Sequence, residues 1–405
     1  MGPDLKAHRS ALRAGPLSIT LLSALIACSD QDRTLTGPGS DGEARAVTQA
    51  SAPAVFFQLS AGLLDVCAVT VDNRAFCWGD NSYGQLGNGT GTRRLTPTAV
   101  GGGLAFRQVN AGAAISCGAT TDFAAYCWGD NNTGALGDGT TIPRSTPVAV
   151  AGGHRFRWVE SGGVHTCGIT DPDNLAYCWG LNDDGELGDG TRTTRLTPVL
   201  VALTLHWRQL TLGLTHTCGV TTDFHAYCWG NNTNGELGVD NSKAGRLRPT
   251  PVAGSHLFDQ IDAGLDYTCA VTLNDRAFCW GSAAQGQLGN GKTILRFTPR
   301  AVGGGLLFTR VTAGSYNTCG ETRGHQAYCW GSNSRGELGD GTTTTRLTPV
   351  AVVGGLSFRQ LTAGSSATCG KTVKDEAYCW GANSDGQTGD GTIGDHITPT
   401  PVSAP

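Results

Sequence analysis

The chain of 405 residues is poor in the features that long helices and membrane-spanning helices need. It contains a single methionine, only 15% of its residues are charged and 7% are aromatic, whereas glycine occurs 60 times. Glycine costs about 1 kcal/mol relative to alanine inside a helix, so this composition argues against long helices. After residue 28, no stretch stays apolar for the roughly 20 residues that a membrane-spanning helix requires.

Motifs of common catalytic sites are also missing. The sequence contains no nucleophile elbow, no zinc-protease histidine motif and no Cys-x-x-Cys pair. Residues 286–293 do match the letters of a phosphate-binding loop, G-x-x-x-x-G-K-T. That loop needs a buried strand before it and a helix after it, whereas this segment lies in a glycine-rich turn of a repeat. We therefore expect no enzyme activity, no cofactor and no metal site.

The first 27 residues are typical of an export signal. Lys6, Arg9 and Arg13 form a basic start, and residues 17–27 form an apolar run too short to span a membrane. The run ends in Leu-Ile-Ala-Cys, which resembles the cleavage and lipidation site of bacterial lipoproteins, with Cys28 as the lipidated residue. An ordinary secretory signal cut nearby, with Cys28 incidental, is the alternative. Residues 28–54 are polar and turn-rich, and they are predicted to form a flexible tether.

The charge of the mature chain argues against nucleic acid as a partner. Removing residues 1–27 removes three basic residues and one acidic residue, so the formal net charge changes from −4 to near −6. A nucleic-acid-binding protein usually carries an excess of basic residues. We therefore expect no nucleic-acid partner. The export signal and Cys28 predict instead that the protein is attached to a bacterial cell envelope, with the lipid anchor as its only contact with the membrane.

A sevenfold repeat organises the rest of the chain. Cys-Trp-Gly recurs with its tryptophan at intervals of 50 or 51 residues, at Trp78, Trp128, Trp179, Trp229, Trp280, Trp330 and Trp380. A fixed period of this size is the signature of a repeat architecture. Features shared by all copies are expected to be structural, so specificity is expected where the copies differ.

The cysteines follow the same period. Each copy carries two, and Cys28 is the fifteenth. Exported proteins meet oxidising conditions, so we predict one disulfide per copy across an antiparallel strand pair; seven pairs of reduced, buried cysteines are the alternative. The predicted pairs are Cys67–Cys77, Cys117–Cys127, Cys167–Cys178, Cys218–Cys228, Cys269–Cys279, Cys319–Cys329 and Cys369–Cys379.

Each copy reads as four short strands separated by glycine and proline. In the fourth copy they cover residues 206–210, 216–221, 226–229 and 249–252. Seven such copies predict an all-β, seven-bladed β-propeller of four-stranded blades over residues 55–405. We also predict closure of the ring by the C-terminal strand: if blades exchange their Thr-Pro strands, residues 398–402 complete the first blade and leave no open edge.

A family resemblance agrees with this fold. Residues 228–238 spell Cys-Trp-Gly-Asn-Asn-Thr-Asn-Gly-Glu-Leu-Gly, and residues 78–87 and 330–339 follow the same W-G-x-N-x-x-G-[QE]-L-G pattern. The pattern resembles the regulator of chromosome condensation repeat, and the resemblance extends over residues 56–402. It implies a seven-bladed propeller. The family includes guanine-nucleotide exchange factors, a plant light sensor and secreted β-lactamase inhibitors, most of which bind another protein through one face.

One variable position suggests where such a face lies. Two residues before the first cysteine of each pair, the copies carry Asp65, Ile115, His165, His216, Tyr267, Asn317 and Ala367, here called the variable column. We predict a partner-binding face that includes Asp65, His165, His216, Tyr267 and Asn317, because tyrosine in particular is frequent in interface hot spots. For the two histidines, hydrogen bonding to the neighbouring backbone is the alternative.

These observations favour a monomeric, envelope-displayed propeller that binds a protein partner. The alternative is a module that binds cell-wall or extracellular glycan with recurrent exposed asparagine and aromatic side chains. A guanine-nucleotide exchange factor is a third hypothesis, but it needs access to a cytosolic GTPase and conflicts with the export signal.

Overall fold

The computed structural model describes residues 53–240 and 242–405. The predicted signal peptide, Cys28 and all of the predicted tether except residues 53 and 54 lie outside the described residues. Ala54 is almost completely buried, so the folded ring includes this last residue of the predicted tether. Among the described residues, no helix is long and apolar enough to cross a membrane.

Within the described ranges, twenty-eight strands form seven antiparallel sheets of four strands each, and each sheet is one blade. Two three-residue 3-10 turns, Gly101–Gly103 and Gly303–Gly305, lie between blades. In chain order, the strands of blades one to seven are β1 Gln58–Ala61, β2 Asp65–Val69, β3 Ala75–Gly79, β4 Arg94–Ala99; β5 Phe106–Ala111, β6 Ile115–Thr120, β7 Ala125–Gly129, β8 Arg144–Ala149; β9 Phe156–Ser161, β10 His165–Thr170, β11 Ala176–Gly180, β12 Arg195–Leu200; β13 Trp207–Leu212, β14 His216–Thr221, β15 Ala226–Gly230, β16 Arg246–Pro251; β17 Phe258–Ala263, β18 Tyr267–Thr272, β19 Ala277–Gly281, β20 Arg296–Ala301; β21 Phe308–Ala313, β22 Asn317–Thr322, β23 Ala327–Gly331, β24 Arg346–Ala351; β25 Phe358–Ala363, β26 Ala367–Thr372, β27 Ala377–Gly381, β28 His396–Pro401.

The seven-bladed propeller is therefore confirmed, but the predicted exchange of strands between copies is wrong. The C-terminal strand β28 pairs with β27 and completes the seventh blade, not the first. Each Thr-Pro strand stays with its own copy, because the connection from the third strand returns the chain to the adjacent open edge. The C-terminal segment still reaches the first blade, since the Val402 carbonyl accepts a hydrogen bond from the Ala54 backbone N–H at 2.9 Å.

The seven predicted disulfides are confirmed. In every blade the two cysteines are directly opposite each other on the second and third strands, with Cα atoms 4.0 to 4.1 Å apart. All fourteen of these cysteines are fully buried. The alternative of reduced, packed cysteines is not what the structure contains.

The core lies between neighbouring blades. Each repeat tryptophan is completely buried, and its indole N–H donates to a carbonyl in the long third loop of the preceding blade. Trp128 donates to the Gln85 carbonyl at 2.7 Å, and Trp78 donates to the Gln387 carbonyl at 3.0 Å across the junction of the seventh and first blades. The ring is thus held by the same contact at every junction, including the one where the chain closes.

Strand direction defines two faces. First and third strands run one way, and second and fourth strands run the other. The connections that follow the first and third strands therefore lie on one side of the ring, here called the upper face, and the remaining connections lie on the lower face. The first strands surround the axis, and the fourth strands form the rim.

Candidate functional site

The structure buries the variable column instead of exposing it. Asp65, His165, His216, Tyr267 and Asn317 are each at most 2% exposed. The expectation that these side chains form a contact surface is therefore wrong. They begin the second strand of their blades just below the glycine that follows the first strand, and they point into the junction with the next blade.

Their hydrogen bonds explain this placement. His165 Nε2 lies 2.7 Å from the Thr217 hydroxyl, and His216 Nε2 lies 3.0 Å from the Thr268 hydroxyl. The Thr217 hydroxyl itself donates to the Glu186 carbonyl, so it accepts from the ring of His165. The alternative for the histidines was therefore nearer to the structure, although the partner is a threonine hydroxyl and not the backbone.

Burial keeps both histidines neutral. It lowers the pKa of His165 and of His216 to about 3, and His216 also lowers that of His165 by charge repulsion. Burial likewise raises the pKa of Asp65 well above its usual range, with a further contribution from Asp80. The two histidines of the column are therefore uncharged at neutral pH.

Tyr267 and Asn317 also connect blades. The Tyr267 hydroxyl donates to the Asn317 carbonyl at 2.6 Å and lies 2.9 Å from the Thr318 hydroxyl. The Asn317 amide donates to the Thr368 hydroxyl at 3.2 Å. The variation along this column is therefore variation in how adjacent blades are joined, because side chains of different size reach the same row of hydroxyls.

A second column, nearer the axis, holds the first strands together. In each blade a side chain near the end of the first strand accepts a hydrogen bond from a backbone N–H of the next blade. Ser60 accepts from Ala111 at 3.1 Å, and Thr362 accepts from Ala61 at 3.0 Å. This axial acceptor column consists of Ser60, Asn110, Glu160, Thr211, Asp262, Thr312 and Thr362.

Glutamines two residues earlier add a reciprocal contact. Gln108, for example, donates to the Val159 carbonyl at 2.8 Å and accepts from the Val159 N–H at 3.2 Å. Gln58, Gln209, Gln260 and Gln360 do the same at their junctions. Trp158 and Arg310 occupy this position in the third and sixth blades. The glutamine contact is therefore absent at these two junctions.

The third junction compensates with other contacts. The Arg157 guanidinium donates to the Trp207 carbonyl at 2.8 Å and to the Arg208 carbonyl at 3.0 Å. The Trp158 indole N–H turns to Glu160 of the same strand, 3.1 Å from its Oε2. Glu160 is thus presented on the axis by a local arrangement that occurs in no other described blade.

The upper face opens on the axis into a cavity of about 300 Å³, here called the axial funnel. All seven blades line it with the end of the first strand and the connection after it. Leu63, Leu214 and Leu265 are among the residues at its rim, and Glu160 and Asp262 are among those at its floor. The same two carboxylates also line a second cavity of about 180 Å³ directly below.

The carboxylates at the floor of the funnel are perturbed. Burial, together with the nearby charge of Asp262, raises the pKa of Glu160 to about 8. Burial also raises the pKa of Asp262 to about 6. Perturbed titratable groups in a cavity indicate a functional site more often than they do elsewhere.

The family can now be assigned from matches over most of the chain. A family model described as "Regulator of chromosome condensation (RCC1) repeat" matches six segments of the chain: residues 72–119, 124–169, 173–220, 225–271, 274–320 and 325–370. A second model with the same description matches five segments between residues 58 and 387. The chain belongs to the RCC1 repeat family. The RCC1 propeller fold is one that commonly mediates protein binding.

Several solved structures are similar to this chain in fold. Prp20p from Saccharomyces cerevisiae is 20% identical with a TM-score of 0.71, and the match covers 85% of this chain and 87% of that one. Human WBSCR16 is 19% identical with a TM-score of 0.70, covering 77% and 85%. The CRINKLY ectodomain of the Arabidopsis thaliana receptor kinase ACR4 is 21% identical with a TM-score of 0.52, covering 82% and 96%. These likenesses concern the fold alone.

The recurrent asparagine of the RCC1 motif has a structural role here. Asn81 is completely buried, accepts from the Leu86 N–H at 3.0 Å and donates to the Thr90 and Thr92 carbonyls. Asn131, Asn182 and Asn333 make the same set of bonds in their loops. These asparagines and the repeat tryptophans are therefore not the exposed side chains on which the glycan alternative depended.

Glu160 and Asp262 are not among the residues predicted from the sequence to form a binding face. A signal for them was present, since the first strands align by their period and five of the seven copies carry serine, threonine or asparagine at this position. The predicted face residues all belong to the second strands, where the variable side chains are buried. Among the described residues, no group of histidine, cysteine, aspartate and glutamate side chains is arranged to hold a metal ion.

Proposed function

We propose that this RCC1-repeat protein is a non-enzymatic propeller that binds a protein partner through its upper face. The observation that carries the proposal is the axial funnel, because it is the point where the connections of all seven blades converge on one concave, chemically varied surface. The repeated contacts beneath it form a rigid scaffold, and binding residues are often found on loops that such a scaffold positions.

Two solved structures with a similar fold support the proposal that the partner is a protein. One solved structure is of Kap60 bound to yeast RCC1 (Prp20), and the Prp20p structure is described with binding properties to Gsp1p and histones. Exposed aromatic side chains on the upper face also suit such a role, since Tyr83 is 53% and Tyr316 is 45% exposed.

The compartment is also part of the proposal. Seven buried disulfides are typical of proteins in an oxidising compartment. The export signal and Cys28 favour display on a bacterial envelope by a lipid anchor. In that location the partner is an envelope or extracellular protein, not a cytosolic GTPase.

Capture from envelope extract tests the proposal. Tagged residues 29–405 are incubated with untreated extract and with protease-digested extract, and the bound material is identified. A specific protein that digestion removes is the expected result. Capture only of protease-resistant wall material would contradict the proposal and favour glycan.

Matched variants then locate the face. Replacing Tyr83 and Tyr316 with alanine is expected to reduce capture by more than tenfold. Replacing Val71 and Leu273 with alanine on the lower face is the control, since these side chains are also exposed, at 74% and 44%. Equal loss from both pairs, or loss only from the lower pair, would show that the upper face is not the binding face.

A further inference from the structure

The walls of the axial funnel change in character with depth. Leucine side chains and glycine backbone form the upper part, and the carboxylates of Glu160 and Asp262 lie at the bottom, where the funnel meets the lower cavity. No lysine, arginine or histidine is among the residues that line the funnel. Within the described chain, neither carboxylate takes part in an ion pair. Arg310 lines the adjoining lower cavity but forms no ion pair with either carboxylate among the described residues, so the funnel itself holds acidic groups and no basic one.

The fold does not need charge at these two positions. Each member of the axial acceptor column accepts one backbone N–H from the next blade, and five blades do so with a neutral side chain. Asp262 performs this task through Oδ2, which accepts from the Ala313 N–H at 2.9 Å. Glu160 performs it toward Leu212. A neutral acceptor would avoid the cost of removing a carboxylate from water.

The two charges are also close to each other. Thr211 donates to Asp262 Oδ1 at 3.0 Å, and its side chain also contacts Glu160. Two like charges at one site repel, and burial strengthens the repulsion. The arrangement therefore costs stability in the isolated chain, and a cation placed between the carboxylates would remove that cost.

We propose that the axial funnel receives the side chain of a lysine or arginine from the partner. The proposal rests on the proposed function and names the chemistry of the partner: a segment that presents one basic residue flanked by apolar residues. Glu160 and Asp262 neutralise the basic group, and Leu63, Leu214 and Leu265 contact its flanking residues.

The depth profile of the funnel favours a side chain over a free metal ion. Lysine and arginine have an apolar stem and a charged end, which matches an apolar mouth above an acidic floor. A calcium ion takes six to eight oxygen ligands, and no such group of carboxylates exists among the described residues. A volume of about 300 Å³ is at the lower limit of ordinary ligand sites and suits one long side chain with its immediate neighbours.

The Trp158 indole provides a local signal for the test. Its N–H donates to Glu160 Oε2, so its NMR resonance changes when the carboxylate acquires a cation. The probes are the peptides acetyl-Leu-Lys-Leu-amide and acetyl-Leu-Gln-Leu-amide, titrated into protein labelled with nitrogen-15 at the tryptophan indoles. The lysine peptide is expected to give a saturable shift and to bind at least tenfold more tightly than the glutamine peptide.

The variant Glu160→Gln, Asp262→Asn replaces both carboxylates and keeps one acceptor oxygen in each side chain for the backbone N–H of the next blade. An amide side chain is compatible with this position, since Asn110 of the second blade already accepts from the Ser161 N–H of the third blade at 2.8 Å. The double variant is expected to lose the preference for the lysine peptide, followed through peptide signals. The control Asp130→Asn, Asp183→Asn replaces the same number of carboxyl groups on upper-face loops outside the funnel, and it is expected to bind both peptides like the parent chain.

Three outcomes would overturn the proposal: equal affinity for the two peptides, undiminished lysine preference in the double variant, or a saturable Trp158 shift at lower concentration with calcium chloride alone. Failure here is distinguishable from failure of the proposed function. If the double variant still captures the protein partner while the Tyr83, Tyr316 variant does not, the upper face binds without using the funnel.

Discussion

At the scale of single residues, the surroundings of a carboxylate decide whether it is available to bind a partner's side chain. Glu160 and Glu321 are both acidic residues near the axis, yet only Glu160 lies at the floor of the axial funnel, facing Asp262. In the cavity below, Arg310 and Glu321 join Glu160 and Asp262 as charged lining groups. Burial raises the pKa of Glu321 as well, but His325 and two arginines oppose that rise, whereas Glu160 has no such neighbour.

The raised pKa of Glu160 predicts a pH-dependent stability. The pKa in the folded chain is about 8, against 4.5 for the free side chain. Between these values the folded chain binds the proton more tightly than the unfolded chain, so the free energy of unfolding falls as the pH rises. Asp262 acts in the same direction between 3.8 and about 6. The two buried histidines act in the opposite direction, because their lowered pKa values destabilise the fold as the pH falls below 6.5.

Replacing Glu160 with glutamine is expected to stabilise the protein at alkaline pH. The glutamine keeps the acceptor for Leu212 and carries no charge, so at pH 9 the melting temperature should rise by roughly 2 °C, the effect of about 1 kcal/mol in a chain of this size. At pH 5 the difference should disappear. Differential scanning calorimetry at both values measures this, with the exposed Asp183→Asn as the control. A constant difference across pH would contradict the assigned pKa.

The residue scale is also where sequence reasoning succeeded least. The variable column was correctly recognised as the place where copies differ, but a linear sequence does not show whether a strand position faces a neighbouring blade or solvent. Tyrosine is frequent in binding hot spots, but it is equally suited to a buried junction, where the Tyr267 hydroxyl has two hydrogen-bond partners. Only the three-dimensional packing separates these two roles.

At the scale of the structural element, three features form the junction between blades: a carbonyl of the third loop, the tryptophan and hydroxyl groups that donate to it, and the final glycine of the motif. A third-loop carbonyl of one blade accepts from both the tryptophan and a threonine or serine of the next. The Glu236 carbonyl, for example, accepts from the Trp280 indole at 2.9 Å and from the Thr268 hydroxyl at 2.8 Å. The final glycine of the motif lies against the same indole ring, which explains why the motif ends in glycine.

Replacing Gly238 with alanine is expected to loosen the junction of the fourth and fifth blades. A Cβ atom at this position would lie 2.5 Å from Trp280 Nε1, and the φ angle is 67°. Gly103 is the matched control, because its φ angle is 64° and no atom lies within 4 Å of its Cβ position. Both variants bear the cost of alanine at positive φ, about 1 kcal/mol.

The difference between the two variants therefore isolates the contact with tryptophan. Gly238→Ala should lower the free energy of unfolding by about 2 kcal/mol more than Gly103→Ala, the usual cost of overpacking a core. Urea denaturation followed by tryptophan fluorescence measures both. Equal destabilisation would show that backbone conformation alone, and not the indole, requires glycine at the end of the motif.

The strand pattern was the part of the fold that the sequence predicted best. Alternating short strands, the cysteine spacing and the glycine-bearing turns predicted four strands per copy and the disulfide register, because these depend on local geometry. The outer strand was assigned to the wrong blade, since Arg-Leu-Thr-Pro-Val-Ala fits either neighbour by composition. The fourth strand lies at the outer edge of the blade, and its proline has no backbone N–H that could pair with a strand of another chain.

At the scale of the whole molecule, the ring has one junction that the chain does not cross. The first and seventh blades meet through the Trp78 bond to Gln387, the Gln360 bonds to Leu59 and the bond from Ala54 to Val402. A buried cluster that contains Phe56, Trp78, Cys369 and Val402 fills this junction. Closure therefore depends on both ends of the described chain.

Deletion of residues 396–405 is expected to lower the melting temperature by more than 10 °C. It removes β28, exposes the edge of β27 and takes Val402 from the buried cluster. Deletion of the two exposed residues 404–405 is the control and should leave the melting temperature within 1 °C, as expected for surface changes. Thermal unfolding followed by circular dichroism distinguishes the two. An unchanged transition in the longer deletion would show that the seventh blade does not need its outer strand.

The meeting of Ala54 and Val402 has a consequence for how the molecule can be assembled. Because the backbone N–H of one end segment and the carbonyl of the other are 2.9 Å apart, the two ends can be joined by a short peptide and the chain opened elsewhere. The lower-face turn at Gly102 and Gly103 is exposed and touches almost nothing, so it is a natural place for the new opening. A circle that has the same tryptophan contact at every junction does not specify which copy is translated first. A circular permutant that starts at residue 103 would form the same ring of blades.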